Sequence, residues 1–181
     1  MSSASPSIAA ERTPAAGYYR IDPLRTEVQF STRHLFGLGG VTGTVKLREA
    51  ELYIGDPASE TTVAAELDAA SFDSGSTKRD SEVRSAKFLD TDTFPDIRFT
   101  CTLVDQTDDK WVAVGVVTAH GVSEPVDLTL QQFATVDEDV ALHATARVDR
   151  YAHGITAARG MAGRWLDIDI TAVATRSSAA N

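Results

Sequence analysis

The chain lacks any run of basic residues, has one cysteine, and contains no apolar stretch long enough to cross a bilayer. Each shortage excludes something. Lys and Arg number 17 against 26 Asp and Glu, a formal charge of −9. A chain this acidic, with no Lys/Arg cluster, repels a phosphate backbone, so a nucleic-acid partner is not expected. On the same whole-chain count an anionic membrane surface is disfavoured. Cys101 stands alone, so no intrachain disulfide can form and nothing points to an oxidising compartment. It shares the alternating phase of Ile97, Phe99 and Leu103, which predicts a buried structural thiol. No window approaches the ~20 apolar residues of a spanning helix. Residues 1–17 are rich in Ala, Ser and Pro and have neither the basic start nor the apolar run of a leader, so they read as a disordered tail. These features predict a cytoplasmic protein with no membrane-spanning segment, one that reaches any lipid from the aqueous side.

What is present is alternation. A length of 181 residues with 43% hydrophobic content suits one domain with a real core, read over 18–176, with 177–181 as a second tail. Segments 18–21 and 26–32 read as a strand pair about the turn dipeptide Asp22-Pro23, with Val28 and Phe30 on one face. In 44–54 the apolar phase shifts: Val45 and Leu47 fall on odd positions, Ala50, Leu52 and Ile54 on even ones. Burying both sets on one face requires a β-bulge near Arg48 and Glu49. Further strands follow at 62–67, 97–103, 111–117, 126–130, 140–148 and 166–172, with 118–125 read as a loop and an acidic turn near 136–139. That is about eight strands, mostly joined by short turns and without a βαβ rhythm. The predicted class is all-β: an antiparallel eight-stranded lipocalin-like barrel with one short helical insertion, a β-sandwich being the alternative. Ala144, Ala146 and Ala172 fall on inward positions, where small side chains leave volume for a guest or admit a close-packed filling.

Little looks catalytic. There is no Gly-x-Ser-x-Gly elbow, and Asp167 and Asp169 fall on the polar face of a strand. The glycines of 33–43 (Gly37, Gly39, Gly40 and Gly43) suit tight bends, because no helix or Lys-Ser/Thr pair follows to make a phosphate cradle. His143 alternates outward. His34, His120 and His153 sit at strand ends and would form a metal site only if the fold gathered them at one rim.

The alternation breaks once, over 71–99. Ser74 or Ser76 is placed to cap a helix over 77–86. Asp80 and Arg84, four apart, are spaced as an acid-before-base pair. The exit carries Phe88, Leu89 and Phe94 before Pro95. These aromatics either close the barrel end as core or line a pocket mouth, with Arg79 and Arg84 offering cations to an anionic head group.

The same residues carry a resemblance. The opening Tyr19-x-Ile21-Asp22-Pro23, the run Phe30-Ser31-x-Arg33-His34-Leu35 with Val41-x-Gly43, and Ala69-x-Ser71-Phe72 with Gly75 begin the series. Lys78-Arg79-Asp80, Arg84-Ser85-x-x-Phe88-Leu89-Asp90 and Phe94-Pro95-x-Ile97-x-Phe99 continue it. Gly121-Val122-x-x-Pro125-Val126 and Arg150-x-x-x-Gly154-Ile155 complete it. In this order the pieces resemble the YceI-like family of polyisoprenoid-binding proteins. The chain departs from that pattern at Glu82-Val83, Ala119-His120 and Tyr151-Ala152-His153, positions that bear on head-group preference more than on fold.

The resemblance implies a barrel with an elongated apolar cavity that binds, stores or transports a polyisoprenoid or similar long-chain amphiphile, without catalysis and without a cofactor. The expected ligand-binding residues are Arg33, His34, Arg79 and Arg150 at the mouth and Phe30, Phe72, Phe88, Phe94 and Phe99 along the wall. Two other classes stay open at this point. One is an enzyme acting on a small hydrophobe through the rim histidines. The other is a filled barrel acting as an interaction module, for instance as a homodimer.

Overall fold

A computed structural model describes residues 14–34, 39–107 and 110–177. The strands are β1 (Gly17–Ile21), β2 (Glu27–His34), β3 (Gly39–Ile54), β4 (Thr62–Asp73), β5 (Asp96–Thr107), β6 (Lys110–Ala119), β7 (Val122–Val136), β8 (Asp139–Asp149) and β9 (Trp165–Arg176). Helix α1 (Thr77–Arg84) lies between β4 and β5. From β2 to β9 each strand pairs antiparallel with the next, and β2 pairs with β9 to close the ring. The result is a closed antiparallel eight-strand barrel with one short helix, not a sandwich.

Eight positions hold nine strands because β1 and β2 share one. Both run antiparallel to β3 (Tyr19↔Leu52 and Val28↔Val45) and both pair with β9 (Ile21↔Ala174 and Val28↔Ile170). The strand pair expected about Asp22-Pro23 is therefore corrected: the chain does not reverse there. A 3-10 turn at Pro23–Arg25, capped by the Asp22 carboxylate accepting from Leu24 N at 2.9 Å, bulges out and returns in the same direction. Two half-strands facing the same two neighbours satisfy more backbone groups than an isolated hairpin would.

Bulges reconcile sequence phase with burial. The β3–β4 register shifts between Leu47 and Glu49, at the expected place, and Leu47, Ala50, Leu52 and Ile54 are all buried. Further shifts fall between Thr44 and Lys46, between Leu130 and Gln132, and between Cys101 and Leu103 in the β5–β6 ladder, the last of which departs from the phase read in the sequence. That last shift turns Leu103 outward and Val104 inward, so Leu103 leaves the phase it shares with Cys101 in the sequence. Cys101 itself is buried as expected, and burial raises its thiol pKa. The loop expected over 118–125 shrinks to His120 and Gly121, because Val122 already pairs with Ala119 and Pro125 sits opposite Val116.

The ladder ends define two rims. At the upper rim β2, β4, β6 and β8 stop, and α1 and the long β8–β9 connection cover the opening. At the lower rim lie the β3–β4 connection, the β7–β8 turn and the start of β1. Residues 1–13, most of the expected tail, and the turn glycine Gly37 lie outside the described residues. The last residues before β1 are held in place: Tyr19 donates its hydroxyl to Ala15 O at 2.8 Å, and Arg176 donates to Ala16 O at 3.0 Å.

Candidate functional site

Inward side chains do not fill the barrel. A continuous cavity of about 1070 Å³ runs from one rim to the other. That is the upper end of the range for small-molecule pockets. Its wall is aliphatic and aromatic because inward positions alternate along every strand. Ala144, Ala146 and Ala172, the small inward residues of β8 and β9, all face this space.

Aromatic rings narrow the lumen where the backbone makes room. Phe30 and Phe72 stack at 4.8 Å near the upper rim. A Cβ at Gly43, directly opposite Phe30, would lie 2.4 Å from the Phe30 ring, so only glycine lets the ring lie against β3. Gly115 does the same for Phe99, where an added Cβ would come within 2.3 Å of the ring. Phe30, Phe72, Phe88 and Phe99 all line the cavity. Phe94 does not. It packs edge-on to His120 at 5.1 Å and against Gly121, bracing α1's exit against the β6–β7 turn.

The polar groups on the cavity wall sit mainly at its ends. At the upper end Arg150 is 5% exposed and faces the lumen. It donates from Nε to Gly163 O at 2.7 Å, from Nη1 to Ile155 O at 2.7 Å, and from Nη2 to Ala162 O at 3.0 Å. One guanidinium thus ties three carbonyls of the β8–β9 connection together. Its fork of donors suits it to this task, and lysine would not replace it. Burial lowers its pKa from the usual arginine value, but a guanidinium starts so high that it stays charged. The adjacent Asp149 does not neutralise it: that carboxylate grips Arg164 at 2.6 Å instead. Rings of Tyr151 and Phe88 lie 4.8 and 5.8 Å from the Arg150 guanidinium carbon. A cation hydrogen-bonded to carbonyls and flanked by rings, on which Asp149 acts only through space, places positive charge at the top of an apolar tube whose wall there also includes Glu82.

Arg79, on α1, also lines the cavity and donates from Nε to Ser74 Oγ at 2.9 Å. Asp80 anchors the same turn. It is 6% exposed and accepts from Ser74 N at 3.0 Å and Ser74 Oγ at 2.6 Å. The expected Asp80–Arg84 pair is thereby replaced, since Arg84 instead donates to Phe72 O at 2.5 Å and does not reach the lumen. Ser76 occupies the N-cap position, but its side chain makes no capping bond.

Arg33 is exposed and outside the cavity wall, although its backbone lies against Gly163. The His34 backbone pairs with Gly39, and its side chain lies outside the described residues. The fold brings His120 and His153 together, but through the main chain. His153, 2% exposed, bonds Val122 O through Nδ1 at 3.0 Å, and His120 Nδ1 bonds His153 O at 3.3 Å. Among the described residues no group of three or more His, Cys, Asp or Glu is placed to hold a metal. His143 faces outward, 2.9 Å from Asp169.

Several wall residues escaped the sequence reading. Trp111 and Phe133 line the lower half, and Met161 and Ala162 the upper rim. Trp111 follows strand alternation and was legible in principle, whereas Phe133 lies past the register shift between Leu130 and Gln132 and leaves the phase of Val126, Leu128 and Leu130. Met161 sits in an irregular connection, where no period exists to read.

Comparisons with known proteins agree with this geometry. The barrel superposes on Burkholderia cenocepacia BcnA with a TM-score of 0.78 at 18% identity, covering 86% of this chain and 99% of that one. It superposes on a polyisoprenoid binding domain from Saccharophagus degradans at 0.64 and 11% identity, covering 90% and 100% of the two chains. At these identities the likeness is one of fold. Protein YceI of Escherichia coli is 32% identical over 127 residues, 68% of this chain and 65% of that protein. A UPF0312 protein of Photorhabdus laumondii is 29% identical over 119 residues, 64% of this chain and 62% of that protein. The aligned stretches thus span a little under two thirds of these curated relatives. The YceI-like domain matches residues 19–174. Barrel, cavity and sequence converge: the chain belongs to the YceI-like family.

Proposed function

We propose that the protein is a non-catalytic carrier or store for a long-chain amphiphile, a polyisoprenoid or a similar lipid, held inside the barrel. The observation that carries this reading is the end-to-end lumen of about 1070 Å³ with an aliphatic and aromatic wall. At about 30 Å³ for each small group, it has room for roughly 30 methylene-sized units. Burial contributes about 0.8 kcal/mol per methylene. A tail of that size would nominally exceed the practical ceiling of roughly 20 kcal/mol for binding, so lost chain entropy must cancel part of it. The tail therefore supplies affinity, and the polar ends supply choice. Arg79 and Arg150 favour an anionic or carbonyl-bearing head at the upper rim, with Phe30, Phe72, Phe88 and Phe99 against the first part of the tail. Arg33 and Phe94 contribute from the rim, outside the wall. The likeness of the fold to a polyisoprenoid binding domain of Saccharophagus degradans supports the ligand class.

The test is mass spectrometry of an organic extract of the purified protein, followed by titration with a fluorescent quinone analogue. A co-purifying prenyl lipid, or a fatty chain with a polar head, is expected, and so is saturable uptake of the analogue. A clean extract together with no uptake would overturn the reading.

A further inference from the structure

Charge on this barrel is not spread evenly. The three described connections at the upper rim are 74–95, 120–121 and 150–164. They carry Lys78, Arg79, Arg84, Lys87, Arg150, Arg159 and Arg164 against Asp80, Glu82, Asp90 and Asp92, and with Arg33, Asp73, Asp96 and Asp149 at the flanking strand ends the rim is net +1 in a chain of net −9. The described connections at the lower rim, 55–61 and 137–138, carry Asp56, Glu60, Asp137 and Glu138, and with Lys110, Asp139 and Arg176 at the flanking strand ends that rim is net −3. The molecule is therefore polar along its axis.

The basic rim also presents amphipathic side chains. Met161 is 61% exposed and Trp165 is 43% exposed. The guanidinium groups of Arg147 and Arg164 lie 5.1 and 5.2 Å from the Trp165 ring. Arg159 lies 5.1 Å from the Tyr151 ring and forms no ion pair among the described residues. Arginine-flanked Trp and Tyr beside an exposed aliphatic side chain suit the water–lipid boundary, where the rings sit at head-group level and the cations meet anionic heads. Met161 and Ala158 are both exposed and part of the cavity wall, so the lumen reaches the surface inside this same patch.

We propose that the upper rim is a docking surface for an anionic lipid bilayer, set so that the open end of the lumen faces the membrane. The charge complementarity commits the occupant: the basic, aromatic end approaches the anionic surface while the acidic end points to water. The docking surface stands on exposure and charge alone. Direct passage of a guest between bilayer and lumen rests on the carrier reading above.

The full chain is mixed with phosphatidylcholine vesicles, with or without about a third phosphatidylglycerol, and binding is read by co-sedimentation at low and at 0.5 M salt, the latter reducing the Debye length to a few ångströms. Co-sedimentation with the anionic vesicles only, weakened by salt, is expected. With about five-fold in affinity per cation near such a surface, Lys87→Glu combined with Arg159→Glu should weaken binding more than ~10-fold. The control Asp137→Lys with Glu138→Lys, at the far rim, should not weaken it. A blue shift of tryptophan emission on anionic vesicles should disappear in Trp165→Phe. No co-sedimentation at low salt, equal binding to the neutral vesicles, or undiminished binding by the double Glu variant would each overturn the proposal. So would capture by an acidic protein without vesicle binding. Uptake of cis-parinaric acid by the unaltered protein and the same variants, measured without vesicles, reads the lumen separately. Absence of docking by the unaltered protein with its uptake intact sinks this proposal alone, and absence of uptake by the unaltered protein with docking intact sinks only the carrier reading.

Discussion

Arg150 shows what a single residue does in this fold. Its three donated hydrogen bonds hold the β8–β9 connection over the barrel, and its charge faces the lumen without a carboxylate hydrogen-bonded to it. Arg150→Met keeps much of the volume but leaves three carbonyls without their donor. Hydrogen bonds from a charged group contribute about 1.5–3 kcal/mol each, so the variant should lose roughly 3 kcal/mol or more, read as a fall in urea midpoint. Arg150→Lys, with its single point of charge, should recover only part of that. The neighbouring pair gives a pH prediction. The hydrogen bond from Arg164 holds the Asp149 carboxyl below its ordinary value, with backbone donors from Tyr151 and Ala152 assisting. A carboxylate with a depressed folded pKa stabilises the protein fully above its unfolded pKa of about 3.9, and that contribution drains away as pH falls through the folded value. Arg164→Ala should therefore lower the urea midpoint at pH 7, and the gap to the unaltered protein should narrow as the solution is taken below about pH 4. A constant gap across that range would assign the loss to packing on the Tyr151 and Trp165 rings instead.

At the scale of elements, strand alternation was the most legible signal, and its breaks the most informative. The bulge near Arg48 was readable because apolar residues switch parity across it. The shift at Leu103 was not, because Cys101, Leu103 and Val104 are all apolar and either phase looks acceptable. The helix was legible in place, but the partners of Asp80 and Arg84 were not. Spacing offered them to each other, whereas the folded chain supplied Ser74 and the Phe72 carbonyl. Of the candidate site, Phe30 and Phe99 were readable by strand parity, Phe72 and Phe88 only through the break in alternation and the family pattern, and the place of Phe94 against His120 depends on the β6–β7 turn coming alongside. The alanines of β8 yield a prediction. Ala144 is buried and faces the lumen. Ala144→Phe should displace about six carbons of guest, which at ~0.8 kcal/mol per methylene weakens long tails far more than short ones. The check is a chain-length series of fatty acids: the preferred length should drop in the variant. An unchanged length profile would mean that the guest does not pass β8.

For the whole molecule, closure is the decisive event. An open sheet with these side chains would have to fold over and bury them against itself, but the β2–β9 ladder joins first strand to last and encloses space instead. A chain with a vacant apolar interior forgoes dispersion contacts that a packed core would have. A guest that fills it stabilises the folded state by mass action, about 2.7 kcal/mol at a free concentration 100 times its dissociation constant. The melting temperature should accordingly rise with added long-chain amphiphile and fall after organic extraction, as measured by scanning calorimetry. A melting temperature indifferent to both would tell against an accessible lumen.

The order of the residues alone settled the class, the strand count and the inward face of most strands, because parity along a β-strand is a local property with a period of two. It also carried the family signature. What it left undecided depends on residues far apart in the chain. The turn at Asp22 continues its strand because β3 and β9 flank both halves. His120 and His153 bond backbone carbonyls through their rings. A net charge of −9 resolves into a basic rim and an acidic one only when the connections are sorted by the end of the barrel they occupy. Charge adds along a sequence without regard to position, whereas a surface responds to where each charge stands.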